Sequence, residues 1–243
     1  MPQLTIGLET IDYEIRKSQR AKRLRLTVRP TGVEVVAPKR ARNVEIQTFI
    51  DSHRGWIRSK VEQYRALMAD HPGPEKLRDG VAIPFRGEPT PLSVVMAKRV
   101  HPKVVEGDGF RVELPNDLAP DKREDAVKLA LTKHLKRQAR DDATLAIERY
   151  GPPNGLVPSA LRIKDQKRLW GSCTASGVIN LNWRLVLAPI EVFDYVVVHE
   201  LCHLRHRHHQ PPFWQAVGGV MPDYDDHRRW LKTNGHLLTL TRG

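Results

Sequence analysis

The stretch HELCHLRHRHHQPP, which begins at His199, holds five of the chain's eleven histidines. It constrains the fold more than any other feature. His199 and His203 are four apart, so on a helix they differ by about 40° and sit one turn above each other. Both imidazoles then reach one ion. Glu200, between them in sequence, leans to the side of the pair. From there it accepts a proton from a metal-associated water without itself being a ligand. The run PIEVFDYVVVHELCHLRH supplies the helix, with Pro189 near its start. Val196, Val197 and Val198 are poor helix formers, so this helix is expected to be buried and held by packing rather than propensity.

The chain has 243 residues, enough for one large domain or two small ones with real cores. Hydrophobic residues make up 40% and charged residues 28%, a globular balance. No apolar run approaches the roughly 20 residues that span a bilayer. The start, MPQLTIGLETIDYEIRK, lacks a charged segment followed by an apolar core, so no secretory signal is expected. With only Cys173 and Cys202, a disulfide framework is excluded, and a cytoplasmic setting is the expectation.

Forty Lys and Arg against twenty-eight Asp and Glu leave a net charge of +12. The excess is densest in RKSQRAKRLR, Arg16 to Arg25. Alternation continues into LRLTVRPTGVEVVAP, with Leu24, Leu26 and Val28 on one face and Arg23, Arg25 and Arg29 on the other. This reads as a strand, a turn at Pro30-Thr31-Gly32 and a second strand. Such a ribbon is either a solvated sheet face or a set of phosphate contacts. Without interleaved aromatics it is no platform for base stacking.

Ile46, Phe49, Ile50, Trp56, Ile57, Val61 and Tyr64 recur at helical spacing, with Asn43 as N-cap and Gly55 as the interruption. ADHPGPEKLRDG is a break. The runs VAIPF, TPLSVVMA, KVVEG and FRVELP read as strands. From Pro120 the texture changes to a long helical pattern, closed by GPPNGLVP. ALRIKDQKRLWGSCTASGVINLNWRLVLAP reads as a hairpin turning at Ala175-Ser176-Gly177, with Val178 to Leu187 as its return strand. PPFWQAVGGVMPDYDDHRRWLKTNG adds one or two short helices. The expected fold class is α+β, with a strand-rich basic region over 1–115 crossed by a helix. The domain carrying the histidines follows over 116–243. The sequence shows no internal repeat.

These residues resemble the YgjP-like metallopeptidase family of zincins, similar in its metal-binding core to SprT-like and Wss-type proteases. The shared motif is His-Glu-x-x-His, five residues, then His, with Phe-Trp close behind and a Trp-Gly-Ser-Cys hairpin ahead. Here these are His199, Glu200, His203, His209, Phe213-Trp214, Trp170 to Cys173 and the strand Asn182 to Leu185. The match covers about residues 160–220. It implies a minimal zincin-like domain and a zinc-dependent hydrolase acting on protein or peptide. The spacing also equals that of metzincins, but His206 stands where those have the turning glycine. Met221 is read as core, not as a Met-turn.

His206 would be the third ligand by face if the helix continued. It would then lie about 10 Å along the axis from His199, whereas zinc needs its nitrogens at about 2.0–2.1 Å. The chain must turn first, and Pro211-Pro212 limits the helix. His209 lies in that turn, where the family motif has its third histidine. His206 and His208, with Arg205 and Arg207, are read as exposed or supporting. Glu200 is the expected general base, and His199, His203 and His209 the expected metal ligands.

Ser172, Arg184 and His227 are three candidates for stabilising an oxyanion, with no basis for choosing between them. INLNWRL is a candidate strand for pairing with an extended substrate. Cys173 is a fourth ligand, a redox-sensitive thiol or a buried small residue, the last being the leading reading, and Cys202 is read as core. Two other readings stand beside the peptidase. One is a nucleic-acid-associated module whose zinc only braces the fold, which would need a fourth ligand. The other is a peptidase recruited to DNA or RNA by the basic front half. No membrane contact is expected, and the oligomeric state is not legible.

Overall fold

The structure, a computed structural model, describes residues 2–6, 9–29, 32–69, 73–166 and 168–241. The architecture is α+β, strand-rich in front and helical behind. By contacts the chain divides into two compact units, Met1–His71 and Pro72–Arg242, apart from the last residue.

The first unit is built on strands β1 (Gln3–Ile6), β2 (Glu9–Ser18), β3 (Arg25–Arg29) and β4 (Gly32–Pro38). They form one sheet in the order β1-β2-β4-β3, with β2 and β4 parallel and the outer pairs antiparallel. Helices α1 (Asn43–Ser52) and α2 (Arg54–Ala69) follow. Ile46, Ile50 and Ile57 are almost fully buried with Tyr13, Val33 and Val35, the alternating inward face of the strands.

Two expectations change here. The N-cap is Arg42 rather than Asn43, and Glu45 accepts the Arg42 backbone N–H at 2.9 Å. The helical run breaks at His53, whose Nδ1 lies 2.8 Å from the Phe49 carbonyl, and not at Gly55. Of the expected turn, Pro30 and Thr31 lie outside the described residues, as do Asp70 to Pro72 of the expected break.

The second unit opens with β5 (Val81–Phe85), β6 (Glu88–Ala97), β7 (Lys103–Gly107) and β8 (Gly109–Pro115). Their order, β5-β6-β8-β7, and pairing senses repeat those of the first sheet. The division of the chain expected after residue 115 therefore does not coincide with the contact boundary at 71/72. Ile83, Leu92, Phe110, Val112 and Leu114 are buried in one core with the helices that follow.

A 3₁₀ turn at Pro120–Lys122 leads into the long helix α3 (Arg123–Tyr150). A small sheet then forms from β9 (Ala160–Lys164), β10 (Gly171–Cys173) and β11 (Val178–Asn182), in the order β10-β11-β9. The expected return strand stops at Asn182, whose side chain caps a 3₁₀ turn over Trp183–Leu187. Helices α4 (Ile190–Cys202), α5 (Pro211–Val220) and α6 (Tyr224–Asn234) complete the unit.

The β5–β6 turn positions the start of α4. Arg86 and Gly87 both have positive φ, 49° and 85°, as a tight hairpin turn requires. The Arg86 and Gly87 N–H groups donate to the Val186 and Leu187 carbonyls at 2.8 and 3.2 Å. A Cβ on Gly87 would lie 2.9 Å from Pro189 Cγ, so only glycine lets the turn come this close. Arg86 also bonds the buried Asp142 on α3, whose carboxyl is pushed up by burial against the pull of Arg86. From α4, buried Asp194 accepts Arg149 Nη1 and the Tyr150 hydroxyl, both at 3.1 Å, which ties α4 to α3.

Candidate metal centre

Helix α4 is buried on nearly every face, with Val196, Val197 and Val198 at most 4% exposed. Each β-branched residue costs roughly 0.5 kcal/mol of helix propensity, while burying its side chain contributes about 1.5–3 kcal/mol. Packing outweighs propensity here. The helix ends at Cys202, with His203 as its C-cap, earlier than the run to His206 that the sequence suggests. The chain then turns, and α5 starts with Pro211-Pro212 at its first positions.

That turn returns His209 to the helix. Its Nε2 lies 2.9 Å from His199 Nε2 and 3.1 Å from His203 Nε2. The three form the cluster able to share a metal among the described residues. Without a cation the arrangement is frustrated. His203 Nδ1 lies 2.9 Å from the His206 carbonyl, so it carries the ring proton and leaves Nε2 bare. His209 Nε2 has one position for a proton or a lone pair, yet it faces two nitrogens. Nitrogens around a tetrahedral zinc lie about 3.3–3.4 Å apart at 2.0–2.1 Å from the metal. The observed separations are a few tenths of an ångström shorter, and a metal ion fits the donor set.

Burial, with His203 and His209 beside it, pushes His199 down to about 3. His203 is also lowered, first by burial. Both therefore present lone pairs at neutral pH. Phe213, fully buried, lies under the triad, stacked on His203 at 4.5 Å and edge-on to His199 and His209. Trp214 stacks on His209 at 5.7 Å between centroids. Arg228 lies over the Trp214 ring at 4.3 Å.

Glu200 is 4% exposed, and its Oε2 is buried without a partner. Burial alone pushes its carboxyl up to about 8. It lies against edge strand β10 at Gly171, where a Cβ would sit 2.5 Å from Glu200 Oε1 and 2.7 Å from Cγ.

A cavity of about 440 Å³ opens over this group, lined by His199, Glu200, His203 and His209 together with Gly171 to Cys173, Tyr195, Arg207, Leu231 and others. Cys173 lines it rather than being buried as expected, and burial raises its thiol. Cys202 and Met221 are core, as read. Of the three oxyanion candidates, only Ser172 reaches the cavity. Arg184 pairs with Asp165 and lies over Trp183, and His227 pairs with Asp223. The substrate-strand expectation also changes, because β11 is central in its sheet and β10 is the edge.

Tyr195 escaped the sequence reading, and Gly171 entered it only as part of the Trp-Gly-Ser-Cys hairpin. The signal for Tyr195 was its place four residues before His199. The hairpin motif did not mark Gly171 as the residue against Glu200, a role that follows from what lies opposite it.

A buried helix carrying two imidazoles one turn apart, a third returned to them and a carboxylate beside an edge strand is the framework of a metallopeptidase. A family model described as YgjP-like, metallopeptidase domain, matches residues 22–234, and the chain belongs to that family. No curated protein matches. A crystal structure of the metallopeptidase zymogen of Pyrococcus abyssi abylysin is similar at 22% identity, with a TM-score of 0.33, over 39% of this chain and 93% of that one. No helix among the described residues is long and apolar enough to cross a membrane.

Proposed function

We propose that the chain is a zinc-dependent peptidase in which His199, His203 and His209 hold the metal and Glu200 is the general base. The observation that carries this is the meeting of three Nε2 atoms at 2.9–3.1 Å beside an unpartnered buried carboxylate. Zinc held there lowers the pKa of water toward about 7 and polarises a carbonyl. Glu200, whose ionised form a cation held by the three histidines would favour, takes the water's proton and passes it to the leaving amine. The free edge of β10 pairs with the backbone of an extended substrate and sets its carbonyl over the cavity. A bracing-only zinc site would need a fourth ligand, and the cluster among the described residues offers three.

The test is metal analysis of the purified chain with casein cleavage, with and without a chelator. Glu200→Gln should keep stoichiometric zinc and lose nearly all activity. Loss of zinc as complete as in His199→Ala would make Glu200 a ligand and end this mechanism.

Nucleic-acid contact is a separate reading, supported by charge. Residues 16–42 hold ten Lys and Arg against one carboxylate, Glu34, which Arg16 binds at 2.7 Å. β2 and β4 run parallel and pair to their ends at Ser18 and Pro38, and Lys17 Nζ reaches the Ala41 carbonyl at 3.3 Å. The basic loops after β2 and β4 thus share one end of the sheet. Charge of that density suits phosphates.

A further inference from the structure

Tyr195 lies one turn before His199 on α4, on the face that carries the imidazoles. It is 5% exposed, and its ring is edge-on to His199 at 5.9 Å between centroids. It lines the cavity, yet its hydroxyl has no hydrogen-bond partner among the described residues. Buried phenols normally find one. Tyr13 donates to Gln47 Oε1 and Tyr150 to Asp194 Oδ2, each at 3.1 Å. The Tyr195 hydroxyl opens onto the cavity rather than into the core, so it is available to whatever enters.

Other donors stand near the cavity. Both terminal nitrogens of Arg207 go to the Thr174 and Ala175 carbonyls at 2.8 and 3.0 Å. Ser172 Oγ accepts from Asn180 Nδ2 at 3.2 Å, which leaves the Ser172 hydroxyl proton available to donate. Arg228, Tyr224, Asp225 and Glu200 all lie close enough to Tyr195 to act on it electrostatically.

We infer that Tyr195 is a catalytic residue whose hydroxyl donates a hydrogen bond to the scissile carbonyl oxygen as that oxygen becomes an anion. This rests on the peptidase reading. In the addition step the water oxygen bonds to the carbonyl carbon, and the C=O π pair moves onto the carbonyl oxygen. One water proton passes to Glu200. In the collapse the pair returns, the C–N bond breaks and Glu200 delivers the proton to nitrogen. Tyr195 keeps its own proton throughout and only shares it with the oxyanion. Such a donor acts where charge develops, so it affects kcat more than binding.

The decisive variant is Tyr195→Phe in the full, metal-loaded chain. It removes one oxygen that no protein group holds, so melting temperature and zinc content should stay at wild-type values. The kcat for a peptide substrate should fall about 10²–10³-fold, with little change in KM. A second readout avoids turnover. Affinity for a phosphinic pseudopeptide, whose tetrahedral oxygens imitate the oxyanion, should fall by a similar factor, while affinity for the product peptide holds.

Three results overturn the assignment. One is wild-type kcat in Tyr195→Phe, and above all if Ser172→Ala collapses instead. Another is a change confined to KM or side-chain preference, which marks a specificity wall. The third is a drop in melting temperature with loss of zinc, which puts the hydroxyl in the fold. Wild-type activity lost in Glu200→Gln but kept in Tyr195→Phe overturns this role alone. A wild-type chain that cleaves nothing overturns the peptidase reading itself.

Discussion

A single hydrogen bond decides what His203 can do. Its Nδ1 gives its proton to the His206 carbonyl, so Nε2 faces the cavity bare, ready to bind a cation. His206 thus contributes through its backbone carbonyl, and on the proposed ligand set its side chain should be dispensable. His209→Ala should cut zinc affinity and activity as severely as His203→Ala, whereas His206→Ala and His208→Ala should each retain bound zinc. Metal analysis of the four purified variants decides it; stoichiometric zinc in His209→Ala beside a metal-free His206→Ala would show the wrong histidine had been chosen. Gly171 governs Glu200 in the same way. A methyl there meets the carboxylate at 2.5–2.8 Å, so either Glu200 or β10 must move. A displacement of about 1 Å costs on the order of 10²-fold in rate. Gly171→Ala should therefore keep its zinc and lose about that factor in kcat. Full kcat would mean that the carboxylate is not held where it acts.

The element that assembles the centre is the seven-residue turn between His203 and Pro211, not the helix. Two arginines read from sequence as exposed or supporting tie it down. Arg205 Nη2 donates to the Asn154 carbonyl at 2.9 Å, beyond the end of α3. Arg207 reaches the Thr174 and Ala175 carbonyls in the β10–β11 turn. Both anchor the segment that carries His209. Groups that orient a ligand typically carry 10–100-fold in metal affinity. Arg207→Ala should therefore weaken zinc binding by roughly that factor while global stability falls by only about 1 kcal/mol. Competition with a chromophoric chelator gives the affinity and urea unfolding the stability. Unchanged affinity would mean that the turn holds its shape without the arginine.

At the scale of the molecule, the two four-stranded sheets share one order and one set of pairing senses without any repeat in the sequence. Buried faces need only apolar alternation, which many sequences supply, so topology recurs where residues do not. The basic end of the first sheet makes a prediction for the full chain. If it meets duplex DNA, log affinity should fall with log salt at about 0.9 per phosphate contact, and neutralising Arg20, Lys22, Arg23 and Arg25 together should flatten the slope by up to about four contacts. No anisotropy change at low salt would remove the idea.

Local periodicity made the strands β5 to β8, the long helix α3 and the metal-spaced pair on α4 legible from residues alone. Hydrophobic spacing and helix geometry act within a few residues and need no partner. The need for a turn before the third ligand follows from the short reach of a metal bond and from a proline pair, again local facts, while the choice of His209 rests on the family resemblance. The break at His53, the division at 71/72 and the turn of Trp183–Leu187 away from the sheet were not legible. Nor were β10 as the edge and Gly171 as the seat of Glu200. Each depends on which distant segment supplies the other half of a contact, and that is set by how the whole core closes.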